Sequence, residues 1–112
     1  MRKPRILIAD DDTMVRIGLK TVINWEENGF VLVGEAANGL EAMQLVQEKK
    51  PDIVITDIKM PGMDGISLAR RIRQDDKEVL LMFITNMAQY ALHGYEVEAI
   101  DYVIKPLGYQ EF

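Results

Sequence analysis

The sequence predicts an α/β fold, a doubly wound five-stranded parallel sheet with helices on both faces, and three observations predict it. Short runs of aliphatic and β-branched residues recur along the chain, segments with helical spacing alternate with them, and the connections are short. The runs are apolar at nearly every position, the pattern of strands buried on both sides and hence of a parallel sheet. With 112 residues, 48% of them hydrophobic, the chain can build one core but not two, so residues 1–112 are read as one domain.

Arg5 to Ala9 (RILIA) is the first strand, ended by Asp10, Asp11 and Asp12. Asp12 or Thr13 can cap the next helix by accepting from a first-turn amide. Val15, Leu19, Val22 and Ile23 give that helix its apolar stripe, Trp25 covers its end, and Asn28-Gly29 stops it. Phe30 to Ala36 is the second strand, and Asn38-Gly39 marks a turn. Ala42, Leu45 and Val46 turn the second helix toward the core, and Lys50-Pro51 ends it.

Ile53 to Thr56 is the third strand and Met60-Pro61-Gly62 a loop. Ile66, Leu68, Ala69 and Ile72 then form a helix that ends near Asp75-Asp76, and Val79 to Ile84 is the fourth strand. A weaker helix around Ala88 to Tyr95 leads to a fifth strand at Ile100 to Ile104. Lys105-Pro106 breaks the chain there, and another helix can begin at Tyr109.

Composition excludes several kinds of chemistry. Without cysteine there are no disulfides, thiolate metal sites or cysteine nucleophiles, and the single His93 leaves no imidazole cluster. A net charge of -5, with Arg70-Arg71 as the one tight basic pair, opposes nucleic-acid binding by this chain. No run approaches the roughly 20 apolar residues of a bilayer span, and the N-terminus turns acidic before any signal-type run develops, so a cytoplasmic location is expected. The seven Met read as core filler. Carboxylates, hydroxyls and lysines remain to carry any chemistry.

Those groups gather at strand ends. Asp10 and Asp11 follow the first strand, Asp57 the third, Thr85 the fourth and Lys105 the fifth. In a doubly wound sheet the ligand crevice opens outside the carboxyl ends where strand order reverses, and the order 2-1-3-4-5 puts strands one and three beside that reversal. Three acids meeting there repel one another unless protonated or neutralised by a cation, and oxygen ligands alone point to Mg2+.

An acid cluster beside a lysine and a hydroxyl suits phosphoryl transfer. Asp57 can attack, Mg2+ and Lys105 can hold two phosphoryl oxygens, and Thr85 with backbone amides near Lys59 can donate to the rest. Taken singly, each residue also has a purely structural reading. Asp57 suits an ordinary turn, Lys105 a solvated surface, Thr85 a strand end or helix cap, and Asp10 to Asp12 a capping cluster. Their joint occurrence at strand ends is what those readings leave unexplained.

Four segments, ILIADDD, PDIVITDIKMPGMDG, FITN and DYVIKP, fall in order between Arg5 and Leu107. In them the sequence resembles the response regulator receiver domains of two-component signalling. The resemblance implies a flavodoxin-like fold and a phosphoryl group taken from a sensor histidine kinase onto Asp57. It implies that Asp11 and Asp57 ligate Mg2+ directly, that Asp10 acts through a water, and that the Lys59 carbonyl is a further ligand. Thr85 and Lys105 would contact the phosphoryl group, and Tyr102 would be the aromatic switch of a surface around the fourth helix, fifth strand and fifth helix. Lys59 and Met87 would tune dephosphorylation, and the bond to Pro106 would be cis.

The resemblance changes along the chain. The part containing INWEENGFVLVGEAANGLEAM is similar to AraC-output, YesN-like receivers, whereas FITNMAQYALHGYEVEAIDYVIKP resembles LytTR-output receivers, with a shorter Thr85 to Lys105 spacing of 20 residues. That implies a chain recombined between Arg73 and Leu81, serving a DNA-binding output domain of AraC or LytTR type outside it. The sequence stops at Phe112, short of the family's full fifth helix, so either that helix is truncated or the exposed surface of the fifth strand is expected to be covered by a second copy in a homodimer. A phosphatase of the haloacid dehalogenase type would need its nucleophile after the first strand in an Asp-x-Asp-x-Thr/Val pattern, which Asp10 to Met14 does not match. A receiver-like scaffold used only for binding would have lost site residues, and none of the five is lost.

Overall fold

β1 (Arg5–Ala9), α1 (Thr13–Val22), β2 (Val31–Ala36), α2 (Gly39–Lys49), β3 (Ile53–Thr56), α3 (Gly65–Asp75), β4 (Leu80–Thr85) and β5 (Asp101–Ile104) follow one another along the computed structural model, which describes residues 3–22, 24–85 and 101–104. The strands pair in parallel in the order β2-β1-β3-β4-β5, as expected. From β1 the chain steps outward to β2, then returns past β1 to β3, so the direction of growth reverses at β1. Right-handed crossovers then require α1 on one face of the sheet and α2 with α3 on the other.

The core has that arrangement. Leu7, Val54, Leu81 and Phe83 pack with Ala42, Leu68, Ala69 and Ile72 on the face of α2 and α3. Ile6, Ile8, Ile55 and Ile84 pack around Leu19, with Val15 and Trp25 alongside, on the face of α1. Adjacent strand residues thus point to opposite faces, and both faces are apolar, which is why the strands show no polar alternation. Phe83 is fully buried. Phe83→Ala is expected to cost about 3–5 kcal/mol through lost burial and the cavity left behind, read as a lower urea midpoint at unchanged slope.

Side-chain to backbone hydrogen bonds set the helix ends. Asn38, expected in a turn, is the N-cap of α2 and accepts from the Glu41 amide at 2.9 Å, while Glu41 Oε1 accepts from the Ala37 amide at 3.3 Å. Asp64 caps α3, accepting from Ser67 N–H at 2.8 Å. Lys50 closes α2 in the left-handed region, φ 48°, and its N–H donates to Val46 O at 3.0 Å, which satisfies a carbonyl of the last turn.

The first helix is described to Val22, and from Trp25 the chain is in a turn instead of continuing as helix to the expected stop at Asn28-Gly29. Asn24 Oδ1 accepts from Glu27 N–H at 3.1 Å and Asn24 O accepts from Asn28 N–H at 3.2 Å, which folds the chain into a turn before Asn28-Gly29. Trp25 packs edge-to-face on Phe30, ring centroids 6.2 Å apart, beneath the α1 face. No helix among the described residues is long and apolar enough to cross a membrane.

Candidate functional site

The reversal at β1 brings two strand ends side by side. Ala9 is level with Thr56, so the chain leaves both strands at the same height, as Asp10 and Asp57. Asp57 N–H donates to Ala9 O at 2.9 Å, and Asp10 N–H donates to Ala36 O at 3.0 Å, which ties both acids to the ends of neighbouring strands. Asp10, Asp11 and Asp57 each bring a carboxylate oxygen into a group whose members all lie within 4.8 Å of one another. Asp10 (1% exposed) and Asp57 (7%) are buried and Asp11 is exposed, so the group has a dry side and a wet side.

The loop after β3 holds Asp57 firmly. Its Oδ1 accepts from Ile58 N–H at 2.7 Å, and its carbonyl accepts from the Thr56 hydroxyl at 2.8 Å. Ile58 and Met60 are buried and anchor the loop in the core, leaving Lys59 exposed between them. Gly65 N–H donates to Ile58 O at 2.6 Å, and a Cβ on Gly65 would stand 1.9 Å from Asp57 O. Gly39 approaches the far end of the loop as closely, its Cβ position 1.9 Å from Met63 O. Only glycine permits either approach.

The three consecutive acids divide into two roles. Asp12 is the cap: its Oδ1 accepts from Met14 N–H at 2.9 Å and its carbonyl accepts from Val15 and Arg16. Asp10 Oδ1 accepts from Asp12 N–H at 2.9 Å, which orients Asp10 without using up the group. Three residues that sequence reasoning missed, Arg16, Lys20 and Glu35, frame this turn. Arg16 Nη1 donates to Asp10 O at 2.5 Å and its Nε to Glu35 Oε1 at 3.0 Å, and Lys20 Nζ reaches Glu35 Oε2 at 2.5 Å. Lys20 first, and then Arg16, hold the Glu35 carboxyl below its ordinary pKa. The stability this lends is present above the ordinary carboxylate range and is lost as pH falls through the lowered value. No sequence spacing announces these contacts, because they join α1 to β2 through the fold.

The donor set fits one class of ion. Three carboxylates with no nitrogen or sulfur suit a hard divalent cation that retains water, and among these Mg2+ needs few protein ligands. Mg2+–oxygen bonds of about 2.1 Å put opposed ligand oxygens about 4.2 Å apart. Carboxylate oxygens within 4.8 Å of one another are therefore close enough to serve one such ion.

Of the other residues singled out, Thr85 is the last residue of β4 rather than the first beyond it, level with Ile104. Tyr102 is level with Phe83 on β5. The side chains of Thr85 and Tyr102 lie outside the described residues, as do Met87, His93, Lys105 and Pro106 altogether, the helix expected at Ala88 to Tyr95 and the one expected from Tyr109.

Comparison with known proteins gives a consistent picture. The family model of the response regulator receiver domain matches residues 6–112. The sensory transduction protein LytT of Oceanobacillus iheyensis is 35% identical over 112 residues, covering 98% of this chain and 45% of that protein. The transcriptional regulatory protein YesN of Bacillus subtilis is 36% identical over 109 residues, covering 96% and 30%. The chain thus spans less than half the length of these relatives. Among solved structures, the REC domain of AraT from Geobacillus stearothermophilus superposes with TM-score 0.91 at 31% identity over 96% of this chain and 85% of that one. A chain of the CheX-CheY-BeF3-Mg+2 complex from Borrelia burgdorferi does so with TM-score 0.87 at 29% identity, over 96% and 81%.

Proposed function

The chain belongs to the response regulator receiver domain family, and from that premise we propose that it accepts a phosphoryl group from a sensor histidine kinase onto Asp57, with Mg2+ held by Asp10, Asp11, Asp57 and the Lys59 carbonyl. Receiver domains are signalling domains of two-component systems and not metabolic enzymes. The observation that carries the reading is the convergence of the three carboxylates at the strand reversal. The similarity to a chain of the CheX-CheY-BeF3-Mg+2 complex supports it further.

A carboxylate oxygen of Asp57 attacks the phosphorus of a phosphohistidine. The O–P bond forms as the P–N bond breaks, and the imidazole leaves with its electron pair. Ile58 N–H and the anchored loop keep the Asp57 carboxylate in one orientation for this in-line step. Bound Mg2+ would offset the charge of the acids and of the incoming phosphoryl oxygens. Thr85 and Lys105 donate to the remaining oxygens, and Tyr102 carries the change to the surface around the fifth strand. Lys59 and Met87, two residues beyond Asp57 and two beyond Thr85, tune the rate at which the phosphoryl group is lost to water. The output is a DNA-binding domain of AraC or LytTR type in the full-length protein, and the setting is the cytoplasm.

Incubation with acetyl phosphate and Mg2+ is expected to add the mass of one phosphoryl group, removable by hydroxylamine as an acyl phosphate must be. EDTA is expected to prevent the addition. An unmodified protein in Mg2+ would rule the reading out.

A further inference from the structure

The proposed function leaves Arg16 without a task, yet its guanidinium reaches three acceptors around the acid turn. We infer that Arg16 is a positioning residue for the acid site: it orients Asp10 and Asp11 through their shared peptide and touches neither ion nor phosphate. This rests on the three acids being a cation site and extends that reading to what holds them in register.

The geometry is a closed circuit. Asp10 N–H donates to Ala36 O at 3.0 Å, at the end of β2. Glu35, the preceding residue, accepts from Arg16 Nε at 3.0 Å, and Arg16 Nη1 returns to Asp10 O at 2.5 Å. Lys20 occupies the second Glu35 oxygen at 2.5 Å, so the carboxylate cannot swing away from Arg16. Arg16 Nη2 also reaches the Thr13 hydroxyl at 3.3 Å. The Arg16 side chain is 14% exposed, against 36% for Lys20 and Glu35, so its bonds are the least diluted by water.

The consequence for the site follows from the planarity of the peptide. Asp10 O belongs to the unit that also carries Asp11 N, so gripping that oxygen fixes the plane from which both side chains depart. Metal ligands tolerate displacements of only about 0.2 Å. A guanidinium can serve the three acceptors at once because its donors are fixed in a fork, whereas a lysine ammonium at the same place is a single point.

Charge and position predict opposite signs. By Coulomb's law alone, a cation beside the site repels Mg2+, so its removal tightens binding. If Arg16 positions the acids, its removal weakens binding instead. Amide chemical-shift titration of the full chain with MgCl2 decides between them. Arg16→Gln and Arg16→Lys are expected to raise the Mg2+ Kd about tenfold, the lower end of what groups orienting metal ligands contribute. Lys20→Gln, which loses the same partner but no contact to Asp10, is expected to stay within about twofold at 0.15 M salt.

Arg16→Gln binding Mg2+ as tightly as wild type, or tighter, overturns the inference, as does an equal loss in Lys20→Gln. If circular dichroism shows Arg16→Gln unfolded, Arg16→Lys, which retains the charge, decides by the same criterion. Wild type failing to bind Mg2+ removes the underlying cation site itself, whereas normal binding by wild type and both Arg16 variants removes only the role of Arg16.

Discussion

Asp57→Asn is expected to take up no phosphoryl group from acetyl phosphate in Mg2+ while keeping the fold intact. The amide loses the nucleophilic carboxylate, but its Oδ1 can still accept from Ile58 N–H, the bond that holds the loop at 2.7 Å in wild type. Without metal, the substitution removes one of three carboxylates that crowd within 4.8 Å, at a position only 7% exposed. Mutual repulsion there disfavours the folded state, so the urea midpoint of the metal-free variant is expected to equal or exceed that of wild type. Loss of function with gain of stability marks a residue kept for chemistry. A phosphorylated Asp57→Asn protein would move the acceptor elsewhere.

Gly65→Ala is expected both to destabilise the fold and to slow phosphorylation of Asp57. Its Cβ would meet Asp57 O at 1.9 Å and Ile58 Cα at 2.9 Å, both backbone atoms that cannot rotate aside. Either the first turn of α3 lifts off and the 2.6 Å bond from Gly65 N–H to Ile58 O breaks, or the Asp57 peptide retreats. Overpacking against backbone costs about 3 kcal/mol, measurable as a fall in urea midpoint. Because a shift of about 1 Å in a reacting group costs roughly a hundredfold in rate, labelling of Asp57 by acetyl phosphate is expected to slow by that order. A variant with wild-type midpoint and labelling rate would show that the approach of α3 to the loop does not hold the acceptor.

The sequence made the strands and their order legible because the apolar runs are bounded by acids and by Gly and Pro, and nothing in them competes with a parallel ladder. Asp10, Asp11 and Asp57 were legible for the same reason, since position at a strand end is a property of the sequence. The helix ends were less so: Asn24 and Asn38 redirect the backbone through side-chain bonds, and an asparagine suits a turn as well as it suits a cap. Arg16, Glu35 and Gly65 could not be read at all, because each acts on a partner brought near only by the completed sheet. The recombination expected between Arg73 and Leu81 leaves no break in the structure there: α3 runs to Asp75 and β4 pairs with β3 from Leu80 onward.

The two apolar faces of the sheet have a further consequence, for the uniqueness of the fold. Ile6, Leu7 and Ile8 alternate between clusters of similar greasiness, as do Val54 with Ile55 and Phe83 with Ile84. A slip of β1 along β3 by one residue would exchange the faces at little cost in hydrophobic burial, so oil alone does not choose the alignment. Asp10 and Asp57 do, because the slipped arrangement drags a carboxylate from the strand end into the apolar ladder, where an uncompensated charge is not tolerated. The acids that gather at the crevice therefore also act as stops that leave the central strands one way to pair.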